Sequence, residues 1–392
     1  MQYRKDISLL GYGCMRFTKD KSGRIDLAKA EREVMRAYEL GVNYFDTAYI
    51  YGGSEEAMGE IIEKNGIRDK IKLVTKLPQY LVRDRKGLDK YLSEELKRLR
   101  TDYLDYYLMH HMTDIAQLQK LLDMGLADWV AEKKASGQIR KIGFSFHGNT
   151  ETFLQILNGF DWDITLVQYN YMDEFTQAGR AGVEAAAAKG IPVVIMEPLR
   201  GGKLVDLLPQ KAKDMIASDP HGWTPAEWAF RWIWDQEAVT CVLSGMNSIE
   251  MIEENCRVAS EVVPGQFGEE ESAMISRIRE AINETMKIGC TACGYCMPCP
   301  AKIDIPGYFR CYNHIFSEKK STGFREFFQT VALSYEKNLY SACLNCGKCE
   351  KHCPQNIPIR EKLKVADKAL RPLPTRILLP VAKRIMLGKR PK

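Results

Sequence analysis

The sequence predicts an α/β chain: a closed (β/α)8 barrel followed by a small, mostly helical unit built around cysteines. Three observations carry this expectation. Eight strand-like apolar runs, each followed by a helical pattern, fit within about 260 residues, which suits a closed barrel better than an open sheet, usually of fewer strands. The first run has no glycine-rich phosphate loop behind it. Gly11-Tyr12-Gly13-Cys14 offers two glycines where a doubly wound dinucleotide fold wants three. Finally, nine of the twelve cysteines lie between Cys290 and Cys353.

The strands are expected at residues 9–15, 42–46, 71–76, 103–110, 139–145, 164–170, 191–197 and 239–245. Helical periodicity is read at 27–40, 87–99, 126–135 and 176–189, the last stopped by Gly190 ahead of Pro192. A further helix over 225–235 opens on Pro225, which suits a first helical position. Ser54 is placed to cap a helix running through Gly59-Glu60-Ile61-Ile62, and Asn247 with Glu250 is spaced like a capping box. The chain divides into a TIM-type barrel over 1–262, a helical connector over 263–288, the cysteine unit over 289–368 and a basic tail over 369–392.

At 392 residues, one ordinary core is too small for the chain, so a large domain with an appendage is expected. The net charge of +5 is local. Residues 368–392 hold eight Lys or Arg and no acid, so removing those eight from the +5 leaves about −3 for the rest. A near-neutral body with a basic tail argues against a general nucleic-acid binder. No apolar signal region follows Met1 and no run approaches bilayer length, so a cytoplasmic protein is expected. Clustered cysteines in such a chain point to metal rather than disulfides.

Chemistry gathers at the predicted strand ends. Asn43-Tyr44-Phe45-Asp46 reads as a buried strand ending in an acid, and Tyr51 follows in the loop, where a β/α barrel keeps its reacting groups. Lys76 closes the buried run Leu73-Val74-Thr75, so it is either paired or reaching out of the barrel top. In the fourth strand Leu104, Tyr106, Leu108 and His110 share one face, and the Leu-like side should point inward, favouring His110 over His111. Cys14, ending the first strand, reads as packing rather than nucleophile.

These motifs, Phe45-Asp46-Thr47-Ala48 with Tyr51-Gly52, Thr75-Lys76 and Leu108-Met109-His110, resemble the aldo/keto reductase family over roughly residues 5–260. The resemblance implies an oxidoreductase that interconverts a small carbonyl substrate and its alcohol with NADP or NAD. It assigns Tyr51 as general acid, Lys76 as the cation that tunes it, Asp46 as the partner of Lys76, and His110 as the group that orients the carbonyl. A free phenol, with a pKa near ~10, is a poor acid at neutral pH, and a neighbouring ammonium lowers it. By the same resemblance Ser145, Gln168 and Asn170 hold the nicotinamide carboxamide. Phe146 stands where the family has Asn, and Met196 where it stacks a Tyr on the ring. Met196, Pro198 and Leu199 then line the ring side, Gly245, Asn247 and Ser248 the phosphates at a helix start, and Glu254 with Asn255 the adenine side. The loop after the eighth strand has no Lys or Arg before Arg257, so NADPH and NADH are not distinguished.

The run Cys343-x2-Cys346-x2-Cys349-x3-Cys353-Pro354 fits the bacterial ferredoxin pattern, whereas zinc sites split their ligand pairs over a longer loop. Cys290-x2-Cys293-x2-Cys296-x2-Cys299-Pro300 is one residue shorter. If the fourth cysteine of each run crosses over, as in two-cluster ferredoxins, one 4Fe-4S cluster takes Cys290, Cys293, Cys296 and Cys353. The other takes Cys343, Cys346, Cys349 and Cys299. Cys311 has no ladder and reads as structural. The chain thus resembles the aldo/keto reductase branch that carries a C-terminal ferredoxin-like domain.

Hydride transfer needs no iron, so the clusters are either structural or serve a one-electron step with a ferredoxin-like redox partner. An FMN at the mouth, making this a flavin-containing reductase, is one way to join the two halves. An electron carrier with the barrel as docking scaffold is another reading. In the tail Leu378, Val381, Ala382 and Ile385 share a helical face, with Arg376, Lys383 and Arg384 elsewhere. That tail is either solvated or a basic contact for a membrane surface or an acidic protein.

Overall fold

The computed structural model describes residues 1–290, 292, 294–318, 320–335, 338–353 and 355–387. Eight parallel strands close into a barrel in chain order: β1 (Leu10–Gly13), β2 (Tyr44–Asp46), β3 (Lys72–Leu77), β4 (Leu104–Met112), β5 (Ile139–Phe146), β6 (Ile164–Gln168), β7 (Val193–Met196) and β8 (Cys241–Ser244). The period-two pattern explains the closure. Tyr44, Val74, Tyr106, Leu108, Ile164, Leu166, Val194, Cys241 and Leu243 point inward and form one apolar cluster, which Ile7 from the hairpin Tyr3–Arg4 and Ile7–Ser8 joins. Alternate residues such as Phe45, Leu73, Tyr107 and Phe144 pack outward on the helical ring. Gly143 is required where β5 meets its neighbours, since a Cβ there would lie 2.4 Å from the Ile164 carbonyl and 2.7 Å from a Leu108 methyl.

Five strands fall within their expected runs, while β3 and β5 run one residue and β4 two residues past the expected end. Two helix starts differ. Gly53, at φ 81°, is the residue before the helix Ser54–Asn65, so Ser54 is its first helical residue and not its cap. Its hydroxyl instead meets Thr47 Oγ1 at 2.8 Å and donates to the Cys14 carbonyl at 3.0 Å, tying the loops after β1 and β2 together. The helix Ile249–Glu261 is capped by Ser248, whose Oγ accepts from Met251 N, one residue later than expected, and Asn247 is exposed.

The connector helix Glu269–Asn283 lays Met274, Ile275, Ile278 and Ile282 on the outer barrel core. Beyond it Ile303, Ile305, Tyr308, Phe309, Phe327, Val331, Ile359, Leu363 and Leu370 form a second, separate core. Its helices are Ile305–Ser317, capped by Asp304, then Lys320–Phe327 running into a π turn Phe328–Ala332, and Ile359–Leu370. This small module sits over the loops that follow β4 and β7. Thr113 Oγ1 donates to the Leu333 carbonyl at 2.9 Å, and Asp114 Oδ2 accepts from Ser334 Oγ and Tyr335 N, both at 2.7 Å.

Candidate active site

Strand alternation brings Asp46, Lys76 and His110 to the C-terminal end of the barrel, and the loop after β2 adds Tyr51. Asp46 and Lys76 each follow an inward residue by two positions, Tyr44 and Val74, so both rise above the apolar plug. Lys76 Nζ donates to Asp46 Oδ1 at 2.5 Å and to the Thr47 carbonyl at 2.7 Å, and lies 3.5 Å from Tyr51 Oη. His110, two positions beyond Leu108, presents its ring edge-on to Tyr51 with centroids 5.9 Å apart. The four residues expected from the sequence therefore meet at one point.

Their electrostatics follow from burial and pairing. Burial would lower the Lys76 pKa, but Asp46 and Tyr51 outweigh it and hold the ammonium charged. Burial raises the Asp46 carboxyl, with Lys76 opposing it. Tyr51 behaves differently from the sequence expectation: burial raises its phenol, and Lys76 only narrows the rise. His110 is driven well below its ordinary pKa by burial and then by Lys76, so it is neutral, and its Nδ1 has no partner among the described residues. Cys14 is buried beside them and its thiol is pushed well up by burial, which fits packing.

Beside this group β4 bulges. His111 adopts φ 59° where the β4–β5 register shifts, and its backbone N–H donates to Ser145 Oγ at 2.8 Å. Its ring lies against His147, centroids 4.9 Å apart. Phe146 turns into the core edge-on to Phe153, so the position next to Ser145 offers nothing to a carboxamide. Gln168 is held at both ends: its Oε1 accepts from Gln177 Nε2 at 2.6 Å and its Nε2 donates to Asp173 Oδ2 at 3.0 Å. Asn170 is fully buried and shapes the same loop, donating to Asp173 Oδ2 and the Glu197 carbonyl and accepting from Met172 N and Asp173 N. Met196 ends β7 against the interior cluster, with Pro198 and Leu199 in the following turn.

Across the mouth, Gly201 and Gly245 come from the loops after β7 and β8. A Cβ on either would lie 2.7 Å from Arg16, at Nη2 and Cδ respectively. Exposed Arg16 thus occupies the slot that the two glycine backbones leave and donates to the Gly201 carbonyl at 3.4 Å. Sequence reasoning missed Arg16; its place three residues beyond Gly13, at the end of a barrel strand, was the available signal. Asn255 Nδ2 donates to Ser244 Oγ at 3.3 Å, and Glu254 accepts from Thr224 Oγ1 at 2.7 Å.

The ladder cysteines gather around two hollows. One is lined by Cys290, Cys296 and Cys353, the other by Cys299, Cys343, Cys346 and Cys349 with Cys296 at the shared wall. Cys293 lies outside the described residues. The first hollow thus takes Cys353 from the second run, and the second takes Cys299, besides the shared Cys296, from the first. Sulfur-rich hollows walled by Ile305, Phe309, Ile359 and Leu363 fit polynuclear iron–sulfur groups. Cys311 is buried in the module core, apart from both.

A network missing from the sequence reading joins module and mouth. Arg200, in the loop after β7, reaches Asp173 Oδ2 with Nε at 3.1 Å and donates through Nη2 to His314 of the module. His314 Nδ1 in turn meets Glu326, whose carboxyl burial alone would raise but which His314 and Arg310 hold well below the usual range. Lys203 pairs with Glu318 nearby.

Comparison with known proteins agrees with both halves. The model of the aldo/keto reductase family matches residues 9–279, and that of a 4Fe-4S dicluster domain matches residues 289–357. Methylglyoxal reductase YeaE of Escherichia coli (strain K12) is 27% identical over 261 residues, covering 62% of this chain and 83% of that protein. L-glyceraldehyde 3-phosphate reductase of Escherichia coli O157:H7 is 23% identical over 304 residues, covering 65% and 85%. Among solved structures, the holo form of a Bacillus halodurans aldo-keto reductase superposes with a TM-score of 0.58 at 25% identity, over 71% of this chain and 95% of that one. A Klebsiella pneumoniae aldo-keto reductase in complex with NADPH gives 0.56 at 25% identity, over 70% and 91%.

Proposed function

This chain belongs to the aldo/keto reductase family, and from that premise we propose that it reduces a small aldehyde or ketone to the alcohol with a nicotinamide dinucleotide, beside a two-cluster electron-transfer module. The observation that carries the reading is Lys76 Nζ placed between Asp46 Oδ1 and Tyr51 Oη, with His110 across from the phenol. Tyr51 gives its proton to the carbonyl oxygen, and Lys76, fixed by Asp46 and the Thr47 carbonyl, stabilises the phenolate left behind. Burial raises the phenol's pKa in the resting site, so the proton leaves only when charge develops on the substrate oxygen a hydrogen bond away. His110, neutral, has one N–H to give and donates it to the same oxygen, which fixes the carbonyl's direction. A bound nicotinamide supplies the hydride to the carbonyl carbon. Arg16 in the slot between Gly201 and Gly245 would neutralise the pyrophosphate, and Gln168 with Ser145 would meet the carboxamide.

Two relatives are named for methylglyoxal and L-glyceraldehyde 3-phosphate, so short α-oxygenated aldehydes are the substrate class to try first. In the module, Cys290, Cys293, Cys296 and Cys353 would hold one 4Fe-4S cluster and Cys299, Cys343, Cys346 and Cys349 the other. Such clusters pass single electrons, for which a ferredoxin-like protein is the fitting partner. The direct test is reduction of methylglyoxal by anaerobically purified protein with NADPH and with NADH. Activity with either that survives removal of oxygen and exogenous flavin supports the reading. Tight binding of FMN with no turnover from either nucleotide would replace it.

A further inference from the structure

The helix Leu373–Leu387 has two unlike faces. Leu379 and Leu387, 3% and 1% exposed, seat it on the body of the protein, and Lys383 Nζ donates to the Ser334 carbonyl at 2.6 Å. Away from that contact Leu373, Ile377, Leu378, Val381 and Ile385 each keep more than half of their surface exposed. At 3.6 residues per turn these five fall within an arc of about 140°. Exposed Arg384 falls just inside the Leu373 edge of the arc, and exposed Arg376 lies about 60° beyond that edge. Isolated exposed aliphatics need no explanation, but a contiguous row of five on one face marks an interaction surface.

The chemistry of the row selects its occupant. It is purely aliphatic, without the Trp and Tyr anchors that enrich protein–protein hot spots. Its charge is of one sign: from Lys368 onward the sequence has eight Lys or Arg and no acid. Fifteen residues make a helix about 22 Å long, shorter than a bilayer core of about 30 Å. Among the described residues no helix is long and apolar enough to cross a membrane. A short amphipathic helix with a cationic edge suits the plane of a headgroup layer. We propose that this helix lies on an anionic phospholipid bilayer, its five aliphatic side chains entering the acyl boundary and Arg376 and Arg384 meeting lipid phosphates. The helix packs beside Gln79–Leu81, the turn that follows β3 and Lys76. Docking would therefore bring the barrel mouth next to the lipid surface.

The test is co-sedimentation of the full, cluster-loaded chain, kept anaerobic, with vesicles of equal phosphatidylglycerol and phosphatidylcholine, and with phosphatidylcholine alone. Binding to the anionic vesicles at least ~10-fold tighter than to the neutral ones is expected, falling as salt rises. The double variant Ile377→Glu/Val381→Glu leaves Leu379 and Leu387 untouched, so iron content and circular dichroism should hold while vesicle binding drops at least ~10-fold. Arg376→Ser/Arg384→Ser should weaken anionic binding by about 5-fold per cation and spare the weak neutral binding. Absence of binding to anionic vesicles at low salt overturns the proposal, as does equal binding of the glutamate variant. Self-association that the glutamate variant abolishes, without any vesicle binding, also overturns it and assigns the face to a second copy.

Discussion

Arg200 Nε lies 3.1 Å from Asp173 Oδ2, and the same carboxylate oxygen accepts hydrogen bonds from Gln168 and Asn170 at 3.0 Å. Arg200 also reaches His314 of the iron–sulfur module. One guanidinium therefore stands between the module and the residues proposed to hold the nicotinamide carboxamide. Burial would raise the Asp173 carboxyl, but Arg200, with Arg310 and His314 adding to it, holds it below the usual range. The module is thus tied electrostatically to the shape of the pocket floor.

Arg200→Met should separate the two. It leaves Asp173 buried without its cation, which costs about 3–5 kcal/mol, and frees Gln168 to shift. Thermal unfolding should move to lower temperature and the nucleotide KM should rise, while iron content stays the same. An unchanged KM in a folded variant would show that Gln168 needs no such support.

Tyr51→Phe removes the proton donor and keeps the ring beside His110. Turnover with an aldehyde should fall by roughly 10²-fold or more, with little change in nucleotide binding or melting temperature. Lys76→Met should lose activity and stability together, because Asp46 would then be a buried carboxylate without a partner. Near-normal turnover by Tyr51→Phe would remove the phenol from the mechanism.

Anaerobic protein should contain about eight iron and eight sulfide per chain if both hollows hold 4Fe-4S clusters. Cys346→Ala should lower both toward half and loosen the module, since metal binding and folding are coupled. Aldehyde reduction by nicotinamide should persist in this variant, while turnover driven by a ferredoxin-like donor should collapse. Zinc in the first ladder would contradict the two-cluster assignment.

Acid should destabilise the fold through its histidines. Burial lowers His111 to about 4 and His147 to about 3. Below about pH 6.5 the unfolded chain takes up protons that the folded chain refuses, so stability is full above that pH and is lost as pH falls towards 4. Each histidine contributes a loss of about 2 kcal/mol between pH 6.5 and 5 by linkage. Denaturant unfolding at pH 7 and pH 5 should show this drop, and His147→Gln should reduce it. An equal drop in wild type and variant would mean that His147 is protonated on folding as readily as off.

The barrel was legible because strand period and closure are local properties. Alternation in Leu104, Tyr106, Leu108 and His110 was enough to place His110 inward, and the inner cluster continues through Tyr106 and Leu108 as that alternation requires. Asp46, Lys76 and His110 could be brought together on paper because each ends or nears the end of a strand in a barrel of known closure, and the cysteine spacing marked two runs whose described members gather at the hollows, with Cys296 lining both. What lay beyond the sequence depends on contacts between distant segments. Ser54 looks like a helix cap, but the approach of the Cys14 carbonyl and Thr47 draws its hydroxyl away. Phe146 looks like a neighbour of Ser145 at the mouth, yet packing against Phe153 turns it into the core. Arg16 meets Gly201 across 185 residues and Arg200 meets His314 across 114, separations over which no periodicity carries information. The aliphatic row of the last helix was visible as a pattern, but whether it would be covered was not: Leu379 and Leu387 took the packing surface, and Leu378, Val381 and Ile385 were left outside. Local sequence determines which faces are apolar; only the folded chain decides which of them find a partner, because burial is a property of what else arrives there.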